Sequence, residues 1–418
     1  MRTRSLSPFW LLFILTGLNL FNYVDRYVVN QVVESIRTDF HLTDGEVGRI
    51  NTAFMIGYFV TSPFFGYLGD RIARKWLIAF GIFVWSLGTI LTGFAGGFAS
   101  MLVFRILVGL GEASYATISP SLISDAFAPA KRNNALTIFY VAIPAGAALG
   151  YYLGAAINAA WGWRHAFIIA GIPGLVLAAS LLPFKEPERG QSDGLDAHKT
   201  GVPSVGDVFK LLKLVDFSLV VWGYVAYTFA MGAFAFWGPT YLMRVFGMTQ
   251  QAAGTYFGAV TLVAGFVSTF VGGFAATAWR KRNPAAYSLT IGLSTLAAAP
   301  CAAYAFLGGT QQALQIGLGA TIFLLFLGTG PVNTLIVETV PVTLRASAMA
   351  MSIFMIHLFG DFWSPEIVGH LSDVFGSIQK AVLILPAMLV IGGALWLALG
   401  VKTLRAPALQ LQQAESAQ

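Results

Sequence analysis

Uncharged apolar runs of about twenty residues recur from one end of this chain to the other, the length an α-helix needs to cross the hydrocarbon core of a bilayer. The runs are continuously apolar, which excludes a β-barrel, whose shorter strands alternate between lipid-facing and lumen-facing residues. Composition points the same way: 56% of the 418 residues are hydrophobic, 11% are charged and the mean hydropathy is +0.71. A soluble domain carries about a quarter charged residues. The chain therefore reads as an all-α membrane protein with twelve transmembrane helices, at about 9 to 33, 47 to 69, 76 to 97, 101 to 123, 135 to 158, 164 to 184, 216 to 243, 251 to 277, 285 to 308, 312 to 336, 346 to 371 and 379 to 401.

An even number of spans places both termini on one side. Basic residues cluster on alternate loops, at Arg2 and Arg4, Arg71 to Lys75, Lys131 and Arg132, the 185 to 215 connection, Arg280 to Arg282, Arg345, and Lys402 and Arg405. By the positive-inside rule those loops and both termini are cytoplasmic. The opposite loops are short or acidic, as at Glu34, Asp39, Asp44 and Glu46. Topology thus accounts for the net charge of +6, and no nucleic-acid partner is expected. The single cysteine, Cys301, excludes an internal disulfide and a thiolate cluster. The basic start imitates a secretory signal, yet the apolar run continues through Asp25 and Arg26 with no small-residue cleavage site, so it is read as an uncleaved first span.

Lys185 to Ser204 is the one long polar interruption, with Pro187, Gly190, Gly194, Gly201 and Pro203, and it reads as a linker. It divides the chain into an N-terminal six-helix bundle (1–184), a cytoplasmic linker (185–215) ending in a short amphipathic helix, a C-terminal six-helix bundle (216–401) and a cytoplasmic tail (402–418). An internal repeat supports the two pseudo-symmetric halves. Asp125 to Arg132 and the span after it resemble Glu338 to Arg345 and its span, and Gly66 to Lys75 aligns with Gly273 to Arg282. Two similar halves around a central site are the plan of a secondary transporter that rocks one half against the other.

Gly66-Tyr67-Leu68-Gly69-Asp70-Arg71-Ile72-Ala73-Arg74-Lys75 resembles the cytoplasmic loop signature of the major facilitator superfamily, departing where Ala73 replaces the usual glycine. The resemblance covers all twelve spans. In it Gly66 and Gly69 permit close helix approach, Asp70 caps the eleventh helix in one conformation only, and Arg71, Arg74, Asp125, Arg132, Glu338 and Arg345 complete a conformational gate. Asn22-Tyr23-Val24-Asp25-Arg26 resembles the first-helix motif of spinster-type transporters, and His357 to Pro365, continuing to Ser372-Asp373, resembles their eleventh helix. The resemblance to a bacterial spinster homologue implies an inner-membrane carrier of lysolipid-like or sphingoid phosphate cargo, often proton-coupled. An organic-anion or multidrug carrier of the same fold is the alternative.

The residues themselves indicate where chemistry resides. A charge at the bilayer centre costs about 2.5 to 3.5 kcal/mol on insertion scales, so Asp25 and Arg26 face protein or a water-filled cavity. Asn19, Asn22, Arg26 and Asn30 form one helical stripe toward the cavity, with Asp25 rotated about 100° away. Arg105 and Glu112 share a face of the fourth span, about 10 Å apart along its axis, and Glu112 reaches the same depth as Arg26. The expected device is an Arg26–Glu112 pair in one state, with Asp25 or Glu112 taking a proton when it breaks. A carboxylate beside a guanidinium keeps its charge, whereas one desolvated without a partner prefers a proton. His357 and Asp361 offer a second titratable point, Tyr227, Phe234 and Trp237 an aromatic wall, and Gly238-Pro239 and Pro365 are expected to kink their helices. A polar first half and an aromatic second half suit an amphipathic small molecule. No nucleophile elbow, phosphate-binding glycine loop or metal-spaced cluster appears, so neither enzymatic activity nor a cofactor is expected, and the carrier is expected to be a monomer working with membrane lipid, substrate and protons.

Overall fold

A membrane interior offers no water to backbone N–H and C=O groups, so each span must satisfy them within itself. In a computed structural model of the protein, every regular element among the described residues is accordingly helical. The structure describes residues 7–69, 71–127, 129–181, 186, 210–340 and 344–416. The first six spans are α1 (Pro8–Phe40), α2 (Asp44–Gly69), α3 (Arg74–Gly93), α4 (Phe98–Ala126), α5 (Pro129–Trp161) and α6 (Trp163–Leu181). A single 3₁₀ turn, Leu211–Lys213, precedes α7 (Val215–Phe246), α8 (Gln250–Arg280) and α9 (Ala286–Leu307). The tenth span is split into α10 (Gln311–Phe326) and α11 (Thr329–Glu338), and the eleventh into α12 (Arg345–Ile356), a π-turn (His357–Asp361) and α13 (Ser364–Phe375). The short α14 (Ile378–Ala381) and the long α15 (Ile384–Ser416) close the chain.

Nine helical stretches among the described residues are long and apolar enough to cross a membrane. At 33 residues α1 is long enough. Its polar residues Asn19, Asn22, Asp25 and Arg26 lower its hydropathy. The helices group into two compact units, Met1–Thr200 with Pro239–Ala259, and Gly201–Gly238 with Val260–Gln418.

Small residues bring the helices of the first unit together. A Cβ on Gly109 of α4 would overlap the Phe54 carbonyl of α2, and one on Gly57 would overlap the Ile106 carbonyl, so these helices touch backbone to backbone. Gly81 and Gly111 do the same for α3 and α4. Gly66, by contrast, has room: a Cβ there would lie 3.7 Å from Thr117, an ordinary contact, whereas Gly69 is tighter at 3.3 Å from Ile118. Gly109→Leu is therefore expected to destabilise the protein by roughly 3 kcal/mol, the upper range for an overpacked core, and Gly66→Ala by almost nothing. A fluorescence-detected thermal melt in detergent checks the contrast.

α7 continues as helix on both sides of Pro239. One local expectation changes. Pro365 does not make the break in the eleventh span, because it occupies the first turn of α13, where its missing N–H would lack a partner in any case. The break is the preceding π-turn, in which Phe362 N–H donates to the His357 carbonyl at 3.2 Å. The chain beyond 401 continues α15 to Ser416, and its Lys402 pairs with Asp216 at 2.5 Å. Most of the linker, including 187–209, lies outside the described residues.

Candidate functional site

The first unit buries a cluster of four charges contributed by two helices and walled by two more. Arg26 of α1 donates from Nη2 to Glu112 Oε2 of α4 at 2.7 Å, and the glutamate side chain is 1% exposed. This is the pair that span depth alone predicts. Asp25, also 1% exposed, accepts a hydrogen bond from the Thr89 hydroxyl of α3. Arg105 of α4 is likewise 1% exposed. Its Nε and Nη1 nevertheless make no hydrogen bond, and one oxygen on each carboxylate, Asp25 Oδ1 and Glu112 Oε1, likewise accepts none.

Aromatic rings fill the space around the two guanidiniums. Arg26 Cζ lies 4.9 Å from the Phe54 ring centre, 5.3 Å from Tyr23 and 5.7 Å from Tyr58, and Arg105 Cζ lies 5.2 Å from Phe54. Cations within about 6 Å of an aromatic face are attracted by its quadrupole, most strongly when desolvated. Tyr115, on α4 with Glu112, donates its hydroxyl to the Leu15 carbonyl of α1 at 2.5 Å.

The polar stripe of α1 divides in its use. Asn19 is buried and donates to the Phe139 carbonyl of α5 at 2.9 Å, an interhelical bond. Asn22 is 5% exposed with its amide nitrogen unpartnered, while Arg26 is the more open member, its side chain 26% exposed. Sequence reasoning missed Thr89, Phe54, Tyr23 and Tyr58.

It also missed a second charged network in this unit. Arg244, near the end of α7, donates to Glu34 Oε2 from Nε at 2.8 Å and from Nη2 at 2.6 Å, and to Asp44 from Nη1 at 2.7 Å and Nη2 at 2.8 Å. Arg37 reaches the same two acids at 3.3 Å and 3.0 Å. Beside them the Gln250 amide donates to the Gln31 carbonyl at 2.8 Å and the Gln31 amide donates to the Gln250 carbonyl at 2.8 Å. In the sequence Glu34 and Asp44 stand out only as acids of a loop that marks topology.

Of the gate residues, Arg74 pairs with Asp125 at 2.5 Å and Glu186 at 3.6 Å, and Arg71 stacks on Tyr67 at 3.5 Å. In the second unit Arg280 pairs with Glu338 at 3.1 Å; in the internal repeat Glu338 corresponds to Asp125, whereas Arg74 corresponds to Lys281. Asp70 and the side chains of Arg132 and Arg345 lie outside the described residues.

In the second unit His357 Nδ1 lies 3.0 Å from Asp361 Oδ1, both half-buried and both within the π-turn. Two glycines admit that turn: a Cβ on Gly360 would overlap Thr228, and one on Gly232 would lie 2.5 Å from Asp361 Cβ. The three aromatics of α7 are interior residues of this unit. Tyr227 donates to the Leu325 carbonyl at 3.1 Å, Trp237 donates to the Pro365 carbonyl at 2.8 Å, and Phe234 packs 6.1 Å from Phe306. Trp237 is only 1% exposed.

A bundle of membrane helices with charged pairs buried in its first unit suits a secondary carrier, and the sequence comparisons agree. The chain belongs to the Major Facilitator Superfamily, whose sequence profile matches residues 15–365. Within that superfamily it falls among the spinster proteins, and it is a transporter, not an enzyme. It is 34% identical to Protein spinster of Drosophila melanogaster over 380 residues, which span 88% of this chain and 62% of that relative's length. It is also 34% identical over 417 residues to the sphingosine-1-phosphate transporter SPNS2 of Danio rerio, covering 92% of this chain and 82% of the relative. The fold matches the crystal structure of a bacterial homologue of the human lysosomal transporter Spinster, inward-facing and unoccupied, with a TM-score of 0.85 at 23% identity over 96% of this chain and 98% of that one.

Proposed function

We propose that this spinster-family protein carries an amphipathic, lysolipid-like anion or zwitterion across the bacterial inner membrane by alternating access, coupled to protons through Asp25, Arg26 and Glu112. The observation that carries the reading is the buried cluster in which Arg26 holds Glu112 at 2.7 Å while Asp25 leans on a neutral Thr89 and Arg105 keeps two nitrogens without a partner. With both acids ionised the four charges sum to zero. Adding an anion to a dry neutral cluster is costly, and adding a proton with it restores neutrality, so the two favour each other's binding. The similarity to a sphingosine-1-phosphate transporter supports a cargo with one apolar chain and an anionic head.

The halves that rock are the bundles 1–184 and 216–401, with both termini cytoplasmic, and the Arg74–Asp125 and Arg280–Glu338 pairs act as gate contacts made in one state and released in the other. His357 and Asp361 serve the cargo from the second half, and the α7 aromatics Tyr227, Phe234 and Trp237 pack the interior of that half behind them.

The test is uptake of lysophosphatidylglycerol into proteoliposomes of purified protein under an imposed pH gradient. Asp25→Asn, Arg26→Gln and Glu112→Gln, made singly, are expected to lose most of the pH-driven component. If all three keep the proton dependence of the unmodified protein, the coupling assignment fails; if the unmodified protein takes up no lysolipid, the cargo assignment fails.

A further inference from the structure

Arg105 poses a physical question that its charge partners do not answer. It is a buried guanidinium in a cluster where Asp25 and Glu112 each have an oxygen that accepts no hydrogen bond, yet its own Nε and Nη1 bond to neither. Something holds it off. The group in place to do so is Phe54 of α2, itself 1% exposed, whose ring centre is 5.2 Å from Arg105 Cζ and 4.9 Å from Arg26 Cζ. The helix that carries the ring meets α4 backbone to backbone at Gly109, one turn along from Arg105, and the Tyr58 ring lies 6.2 Å from the Phe54 ring.

We propose that Phe54 is a positioning residue for cargo recognition: its ring holds Arg105 by its face, apart from the carboxylates, and so keeps the guanidinium N–H groups available to the anionic group of the substrate. An aromatic face attracts a cation without occupying its N–H groups, which a carboxylate partner would consume. An aliphatic side chain of similar bulk fills the space but has no quadrupole, and Arg105 then collapses onto Asp25 or Glu112, where its charge is neutralised. Tyr23 and Tyr58 face Arg26 from α1 and α2 and do not replace Phe54 at Arg105. The proposal rests on the anion-carrying reading above and adds the residue that keeps its anion-binding group free.

The test uses the full chain in proteoliposomes with lysophosphatidylglycerol as probe, comparing Phe54→Leu, Phe54→Met and Phe54→Tyr. The Leu and Met variants are expected to raise KM about tenfold with the maximal rate within about twofold, and Tyr to restore a normal KM, since loss of one desolvated cation–π contact corresponds to roughly that factor. In an Arg105→Lys background the Leu change is expected to add less than about twofold, because both act through one group. A KM unchanged in Phe54→Leu and Phe54→Met overturns the proposal. So does an equal loss of rate in all three variants, or failure of both Leu and Met variants to fold, since either assigns the ring to packing alone. Absence of uptake by the unmodified protein counts against the cargo reading itself, and is distinguished by being independent of residue 54.

Discussion

Replacing Asp25 by Asn and Arg105 by Met together is expected to give a protein at least as stable as the original, by about 1–4 kcal/mol, and inactive in transport. The double change keeps the cluster's charge balance, so no lone charge is stranded. It removes a guanidinium that is 1% exposed with two nitrogens unpartnered and a carboxylate with one bare oxygen. Buried ionic groups that lack full hydrogen bonding are commonly less stable than apolar residues of the same volume. Stability at such a position is surrendered for function. A thermal melt in detergent paired with proteoliposome uptake decides the matter. A double variant that is markedly less stable would show that the cluster holds the helices together, and one that transports normally would remove it from the mechanism.

Arg244→Ala is expected to destabilise the protein by about 2 kcal/mol. Breaking a fully buried ion pair costs about 3–5 kcal/mol. Here Arg244 is 21% and Glu34 25% exposed and Arg37 remains beside both acids, so the cost is smaller. The arginine serves Glu34 at the end of α1 and Asp44 at the start of α2 at once, so a double-mutant cycle with Asp44→Asn is expected to show coupling of about 1 kcal/mol or more between positions 244 and 44. Additive effects would reduce the network to a set of exposed charges of little energetic weight.

The contrast between these two groups indicates what a sequence displays and what it conceals. The Arg26–Glu112 pair was legible because an ion in an apolar span demands a partner, and span depth allowed few candidates. Helix number was legible for a related reason, since apolar runs stand out against the charged loops between them. Phe54 was not, being one of 34 phenylalanines in a chain where aromatics have many uses. Thr89 sits in a span with no other clue to its bond. Arg244 read as a charge at a helix end, and only the packing of Pro239–Ala259 into the first unit reveals its two acids. The π-turn has no letter of its own, and Pro365 drew the reading a few residues too far along.

The neutrality of the Asp25, Arg26, Arg105 and Glu112 cluster bears on how the membrane voltage acts on this carrier. A voltage does work only on net charge that moves through it, about 2.3 kcal/mol per elementary charge for each 100 mV. Two acids and two guanidiniums that move as one body present none. Whatever electrical force reaches this part of the molecule is therefore brought by its passengers, and on the proposed coupling a cargo anion that arrives with its own proton would bring none either.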